Sequence, residues 1–252
     1  VGIKHAFTNP KSDGTDTTVT RPSDWNADHT IADGTITAAK LAAGVVQQAV
    51  VLYPTKDGIA SAGAATTNYG TGNLVVNDFP ADAYSHISFL SFDLTGLTIT
   101  SLVFARLQLM MVAKSNSTDA SSYHLVRRCL RADWVESEMT WTQYKSGSNW
   151  TTGGGLSAGN DVENTIVVPS TNYIGGGYPS GGSSGIVNFS GAVAPVVWDL
   201  TAMVNRIIGL SVSTVDLQIL DAIVPASQNG TGYADRANAT VAYRPQLALY
   251  YS

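Results

Sequence analysis

Glu136 and Glu138 are the residues whose type and spacing point most directly to chemistry. Two carboxylates two positions apart on a strand face the same side, and glycoside hydrolysis uses a pair of carboxylates. They lie in the block Asp133-Trp-Val-Glu-Ser-Glu-Met-Thr-Trp141. In such a block carboxylates also cap turns by accepting hydrogen bonds from backbone N–H groups, and both readings stand at this point. The four histidines, His5, His29, His86 and His124, are scattered, with no HxH or HxxxH spacing. His29 follows Asp24 and Asp28, which leaves a metal reading beside that of a hydrogen-bonded loop histidine. GxxxxGK[ST] and HExxH are both missing from the sequence. The glycine runs 153–155 and 175–177 have neither a lysine nor a strand-to-helix junction to cradle phosphate, and read as flexible loop.

Composition narrows the classes further. The 252 residues carry 14 basic and 19 acidic side chains, a net charge of -5, and no basic run longer than Arg127-Arg128. Affinity for nucleic acid rests on Lys and Arg neutralising phosphates, so that class is excluded. Ser and Thr number 50, yet 44% of the chain is hydrophobic, enough for a real core. Cys129 is the single cysteine. It excludes an internal disulfide and a cysteine zinc site, and its alternating apolar surroundings predict a buried thiol. No apolar run approaches the length of a membrane span, and Val1 to Pro10 lacks the apolar stretch of a secretory signal.

Three zones must position whatever chemistry there is. The first is polar and weakly patterned, and it contains a predicted short helix over 38–43 with Thr37 as N-cap and Gly44 as stop. A helix this short needs a partner to be stable. The second is a succession of strands, including 88–94, 101–113 and 123–130. In 101–113, Phe104, Arg106, Gln108 and Met110 form one face, opposite Val103, Ala105, Leu107, Leu109 and Met111. The third holds 12 glycines between 146 and 193, with short strands at 164–168 and 185–189. Strands at 195–200, 213–219 and 241–250, and a helical turn or two over 201–208 capped by Thr201 or Asp199, complete it. The pattern predicts an all-β fold, an antiparallel jelly-roll sandwich with an N-terminal extended arm and a short helix. Its expected divisions are 1–32, 33–50 and 51–252.

Two resemblances give these zones a context. Residues 51–252 resemble the DNRLRE-type jelly-roll domain, a family grouped with carbohydrate-binding modules. The resemblance rests on an ordered set: Asp57, Asn68-Tyr-Gly-Thr-Gly72, Leu74-Val-Val76, Phe89-Leu-Ser-Phe-Asp-Leu94 and Ile99 to Leu109. Trp134-Val-Glu136, Met139-Thr-Trp141, Val197-Trp-Asp-Leu-Thr201 and Arg244-Pro-Gln-Leu-Ala-Leu-Tyr-Tyr251 follow. The chain departs from the family pattern at His86-Ile-Ser, where an Arg is usual, and in its long glycine-rich insertion. The resemblance implies structural roles for Trp134, Trp141 and Trp198. It implies sugar binding through aromatic faces, with Tyr69, Tyr144, Trp150, Tyr173, Tyr178 and Tyr233 as candidates, although such loop aromatics more often pack the loop than touch a ligand. No cofactor is implied, apart from a structural calcium ion that Asp57 would help to hold, as in some related jelly rolls.

The first zone is similar to N-terminal segments of tailed-phage virion proteins. The similar stretches are Gly2-Ile-Lys-His-Ala-Phe7, Lys11-Ser-Asp-Gly14, Thr20-Arg-Pro-Ser-Asp-Trp-Asn-Ala-Asp-His29 and Asp33-Gly-Thr-Ile-Thr-Ala-Ala-Lys-Leu41. This implies a homotrimer on the virion surface, docked on capsid or tail proteins through Phe7, Arg21, Trp25, Asn26 and His29. Phe7 and Trp25 serve equally well to pack on the chain's own β-domain. Ile36, Ala39 and Leu41 (or Ala43) would face a threefold helical bundle. The expected function is that of a non-enzymatic head fibre or decoration protein that adheres to host or environmental polysaccharide. A tail receptor-binding protein and a polysaccharide-degrading enzyme are the alternatives. Neither nucleic acid nor membrane is an expected partner.

Overall fold

Period-two hydrophobicity is realised as two antiparallel sheets. The computed structural model describes residues 2–3, 29–30, 47–77, 85–114, 124–171, 173–175, 186–188, 193–221 and 230–252. The chain divides into two units, Val1–Val46 and Gln47–Ser252. In the first, β1 (Gly2–Ile3) pairs antiparallel with β2 (His29–Thr30). The helix expected over 38–43 lies outside the described residues.

The second unit contains β3 (Gln48–Leu52), β4 (Lys56–Ser61), β5 (Leu74–Val76), β6 (His86–Asp93), β7 (Leu102–Lys114) and β8 (His124–Cys129). There follow β9 (Gln143–Lys145), β10 (Ser148–Asn149), β11 (Val162–Pro169), β12 (Tyr173–Gly175), β13 (Ile186–Asn188) and β14 (Ala194–Asp199). After the helix α1 (Thr201–Gly209) come β15 (Thr214–Asp221), β16 (Thr231–Tyr233) and β17 (Gln246–Tyr251). One sheet runs β11-β8-β15-β6-β4; the other runs β3-β17-β7-β16-β5, with β14 also paired to β7. These pairings are antiparallel, whereas β12 and β13 pair in parallel. The closing strand starts later than the pattern predicts. Val241–Tyr243 is a 3-10 turn, and Pro245, which has no N–H for a ladder, precedes β17.

The sandwich core joins Leu90, Phe92, Val126, Leu217 and Ile219 of one sheet to Leu107, Leu109, Met111, Trp198 and Leu249 of the other. Met203, Val204 and Ile207 of α1 close one side of this core. The N-cap of α1 is Leu200 and not the expected Thr201 or Asp199; Asp199 accepts from the Thr201 N–H at 3.0 Å, while Thr201 Oγ1 accepts from the Ala105 N–H at 3.0 Å. The expected inner face of β7 holds for Ala105, Leu107, Leu109 and Met111, all fully buried. Val103 is the exception at 53% exposure. The register shifts there, so that Tyr251 opposes Leu102 and Tyr250 opposes Phe104, and Val103 falls outside the alternation.

A second core covers the outer face of the five-stranded sheet. Ala60, Ile87, Phe89 and Cys129 on the strands meet Trp134, Met139 and Trp150 from the segment that follows β8. With both faces covered, β6 and β15 are buried almost end to end, as central strands between two layers must be. Polar residues on that outer face fasten the covering layer. Asp216 Oδ1 accepts from Trp134 Nε1 at 3.0 Å, and Gln218 Nε2 donates to the carbonyls of Gly154 and Gly155 at 2.8 and 3.0 Å. Asp161, fully buried, accepts from the N–H groups of Thr151 and Thr152. The 153–155 glycine run, expected to be flexible, is a packing device. A Cβ on Gly154 would lie 2.6 Å from the Trp141 ring, and one on Gly155 would lie 3.0 Å from Trp150.

Candidate functional site

The edge strand β4 puts Lys56 and Asp57 on opposite faces of the sheet, and at an edge both faces reach the same rim. Lys56 lies over the Trp134 ring, 4.5 Å from its centroid. It donates to the carbonyls of Ala132 and Trp134, both at 3.0 Å, and Asp216 is 3.9 Å away. Next to it, Asn68-Tyr69-Gly70 pins the turn 135–139 in place. Asn68 Nδ2 donates to the carbonyls of Glu136 and Met139 at 2.6 and 2.7 Å, and its Oδ1 accepts from the Gly70 N–H at 3.1 Å. Glycine is required at position 70, because a Cβ would lie 2.7 Å from the Glu136 carbonyl oxygen. The turn itself closes through the Met139 N–H, which donates to Val135 O at 2.8 Å.

Arg236, from the loop after β16, completes the rim. Its Nη2 donates to both Glu136 carboxylate oxygens at 2.8 Å, its Nε lies 3.3 Å from Asp57 Oδ1, and its backbone N–H donates to Asp57 Oδ2 at 2.7 Å. The result is an open cleft of about 490 Å³ lined by Lys56, Asn68, Gly70, Glu136, Ser137 and Arg236, among others. Asp57 is only 4% exposed behind Arg236. Burial pushes its carboxyl up to about 6, against the lowering effect of the Arg236 N–H, and the charges of Glu136 and Asp235 add to the rise. Glu136 in turn holds the Arg236 guanidinium above its ordinary value.

A second cleft of about 490 Å³ lies across the sheet, where β11 bulges between Glu163 and Val167. The bulge sets Asn164 and Thr165 into the wall. Glu163 pairs there with Arg128 at 3.3 Å and with Arg206 of α1.

The two carboxylates weighed for glycoside hydrolysis are each engaged by another group. Glu136 and Glu138 lie in a turn, not on a strand, because Asn68 holds the turn closed. Glu136 is paired with Arg236, and Glu138 Oε2 accepts from the Ser146 N–H at 2.8 Å, as a turn-capping carboxylate does. The oxygens of Asp57, weighed for calcium, both face Arg236. Among the described residues no group of three or more His, Cys, Asp or Glu side chains is gathered to hold a metal ion.

The aromatic candidates separate by burial. Tyr69 is 37% exposed, but the first cleft is lined by its neighbours Asn68 and Gly70 and not by Tyr69 itself. Trp150 presents no face to a ligand: it is 5% exposed, stacked on Phe89 with centroids 5.2 Å apart, and its Nε1 donates to Thr140 O at 3.0 Å. Tyr233 is likewise enclosed, fully buried with its hydroxyl 2.6 Å from His124 Nδ1. Tyr144 is half-buried against Trp150. For Tyr173 the backbone in β12 is described, and Tyr178 lies outside the described residues. Phe7, Arg21, Trp25, Asn26, Ile36, Ala39 and Leu41 also lie outside them, and His29 is described only as part of β2. Trp134 and Trp198 are core residues, 1% and 0% exposed, and Trp141 packs against the second core.

Sequence reasoning missed Arg236. It lies 179 residues from Asp57 and 100 from Glu136, in a loop without hydrophobic period. The signal that was present is Asn68-Tyr-Gly70, whose amide and glycine fix the turn. A search of curated proteins finds no match to this chain. Residues 48–153, less than half of the chain, match the model of carbohydrate-binding module family 96, and that stretch contains every lining residue of the first cleft named above except Arg236.

Proposed function

We propose that the 47–252 unit binds a glycan in the cleft between Asn68, Glu136 and Arg236. The observation that carries this reading is the coincidence of that cleft with the stretch similar to a carbohydrate-binding module. The chemistry is suitable. A sugar's adjacent hydroxyls can donate to the Glu136 carboxylate and accept from the guanidinium of Arg236, while Ser137 and Thr71 add hydroxyls. The match is to a binding module, and Glu136 and Glu138 are each held by another group, which favours binding without hydrolysis.

Within this reading the chain is a non-enzymatic structural protein of a phage particle, displayed on the head as a trimeric fibre or decoration protein at the virion surface. That part rests on the virion-like sequence of the first zone. A polar segment of this composition can dock on a particle surface through its few large aromatics. A glycan array probed with the full chain tests the binding reading, and the absence of any bound glycan refutes it. Removal of residues 1–32 tests the display reading: the truncated protein is expected to stay folded and to be lost from particles, and continued incorporation refutes the docking role. Loss of host adsorption on deletion of the whole protein would instead favour a tail receptor-binding protein.

A further inference from the structure

The second cleft lies mostly beyond the stretch that matches the family model. Of its lining residues only Arg128 and Leu130 fall within 48–153; the rest come from residues 158–165 and from Arg206 of α1. Glu163, 8% exposed, sits between two guanidiniums, accepting from Arg128 Nη1 at 3.3 Å and pairing with Arg206 Nε. A guanidinium carries five N–H donors, and each of these two spends a single nitrogen on Glu163. Among the described residues their side chains make no other hydrogen bond, so the carboxylate fixes both arginines and leaves most of their donors to the cleft.

The bulge in β11 adds neutral donors beside them. Asn164 and Thr165 are both exposed there. Arg127, 9% exposed, is held by Gln218 Oε1 and not by a carboxylate, and its Nη1 lies 3.5 Å from Asn164 Oδ1. Because a guanidinium can only donate, the Asn164 oxygen must face it, which turns the two Nδ2 donors away from Arg127. Two guanidiniums and one carboxylate thus line the cleft, with a third guanidinium behind its Asn164 wall. Donors reach it from β8, β11 and α1. A carboxylate has two oxygens and is satisfied by one guanidinium fork, whereas a phosphate or sulfate ester presents three terminal oxygens to donors arriving from several directions. The geometry points to a binding site for the phosphate or sulfate ester group of a small ligand between Arg128, Asn164, Thr165 and Arg206. A cleft of about 490 Å³ accommodates the body of such a ligand as well as its anion. This site is independent of the glycan reading of the first cleft.

Calorimetry and amide-shift mapping of the full chain with glucose 6-phosphate, glucose 6-sulfate, inorganic phosphate and glucuronate test it. Both esters are expected to bind, the more highly charged phosphate more tightly, with the largest shifts at Arg128, Asn164, Thr165 and Arg206. Glucuronate should bind at least about fivefold more weakly than glucose 6-phosphate. Arg206→Gln should weaken ester binding by about tenfold or more. Asn164→Asp keeps the shape, places a carboxylate beside Arg127 and should weaken it by a similar factor of about ten. Unchanged affinity in Asn164→Asp contradicts the site even if the Arg206 variant fails to fold. Glucuronate binding as tight as the esters, or inorganic phosphate binding without either ester, would overturn the inference. So would ester-induced shifts centred on Asn68, Gly70 and Ser137, or no binding of any of the four probes, and these outcomes leave the glycan reading of the first cleft standing.

Discussion

Arg236→Gln is expected to destabilise the protein at neutral pH and to do so much less in acid. Asp57 ionises near 6 in the folded protein against 3.8 for an unperturbed carboxyl, so holding it charged in place costs about 3 kcal/mol. The folded state takes up this proton near pH 6 and the unfolded state near 3.8. The shift is upward, so this group's contribution to stability is lowest above about pH 6 and grows as pH falls from there towards 4. Arg236 partly compensates the charged form, and its removal leaves a buried carboxylate with only the backbone N–H of residue 236. Because the guanidinium is 40% exposed, solvent screens part of the effect. A loss of about 2 kcal/mol at about pH 7.5 is the reasoned magnitude, falling below about 1 kcal/mol at about pH 5, where Asp57 is protonated with or without Arg236. For a domain of this size the neutral-pH loss lowers Tm by about 4–8 °C. Urea unfolding of wild type and variant across that pH range measures it. The double variant Asp57→Asn/Arg236→Gln should recover most of the loss, since no charge is left to compensate. Equal destabilisation at both pH values would refute the coupling.

Other consequences can be checked on the same protein. Trp150→Ala removes the indole stacked on Phe89 and should cost about 3–5 kcal/mol in chemical denaturation. Gly154 (φ +71) and Gly159 (φ +77) share a left-handed backbone, but only Gly154 lies against Trp141. Gly159→Ala should therefore cost about 1 kcal/mol and Gly154→Ala about 2 kcal/mol or more, read as the difference in unfolding midpoints. The Cys129 thiol is 2% exposed and pushed up by burial to about 12, so a thiol reagent at mildly alkaline pH should label it only after denaturation.

Much of the sandwich was legible because its signal is local. The alternation over 105–111 gives the inner face of β7, and Thr201–Gly209 follows its expected start closely. Val103 escaped because a register shift is set by the partner strand β17, not by β7 itself. The second core was illegible for a different reason. Its covering segment reads as a glycine-rich loop, and only in three dimensions do those glycines prove to be the residues that fit beneath Trp141 and Trp150. The same burial takes Trp150 from loop aromatic to core residue. At the site, Glu136 was visible as a carboxylate of interest, but its partner Arg236 is brought to it by β16, a three-residue strand. Period and propensity carry no information about such a pairing.

The most direct test is a heteronuclear NMR titration of the full chain with an oligosaccharide that binds it and carries no sulfate or phosphate group. Glycan binding in the described cleft predicts the largest amide shifts at Asn68, Gly70, Glu136, Ser137 and Arg236, and little change at Arg128, Glu163 and Arg206. Shifts centred on the second group, or distributed without a focus on the first, would contradict it.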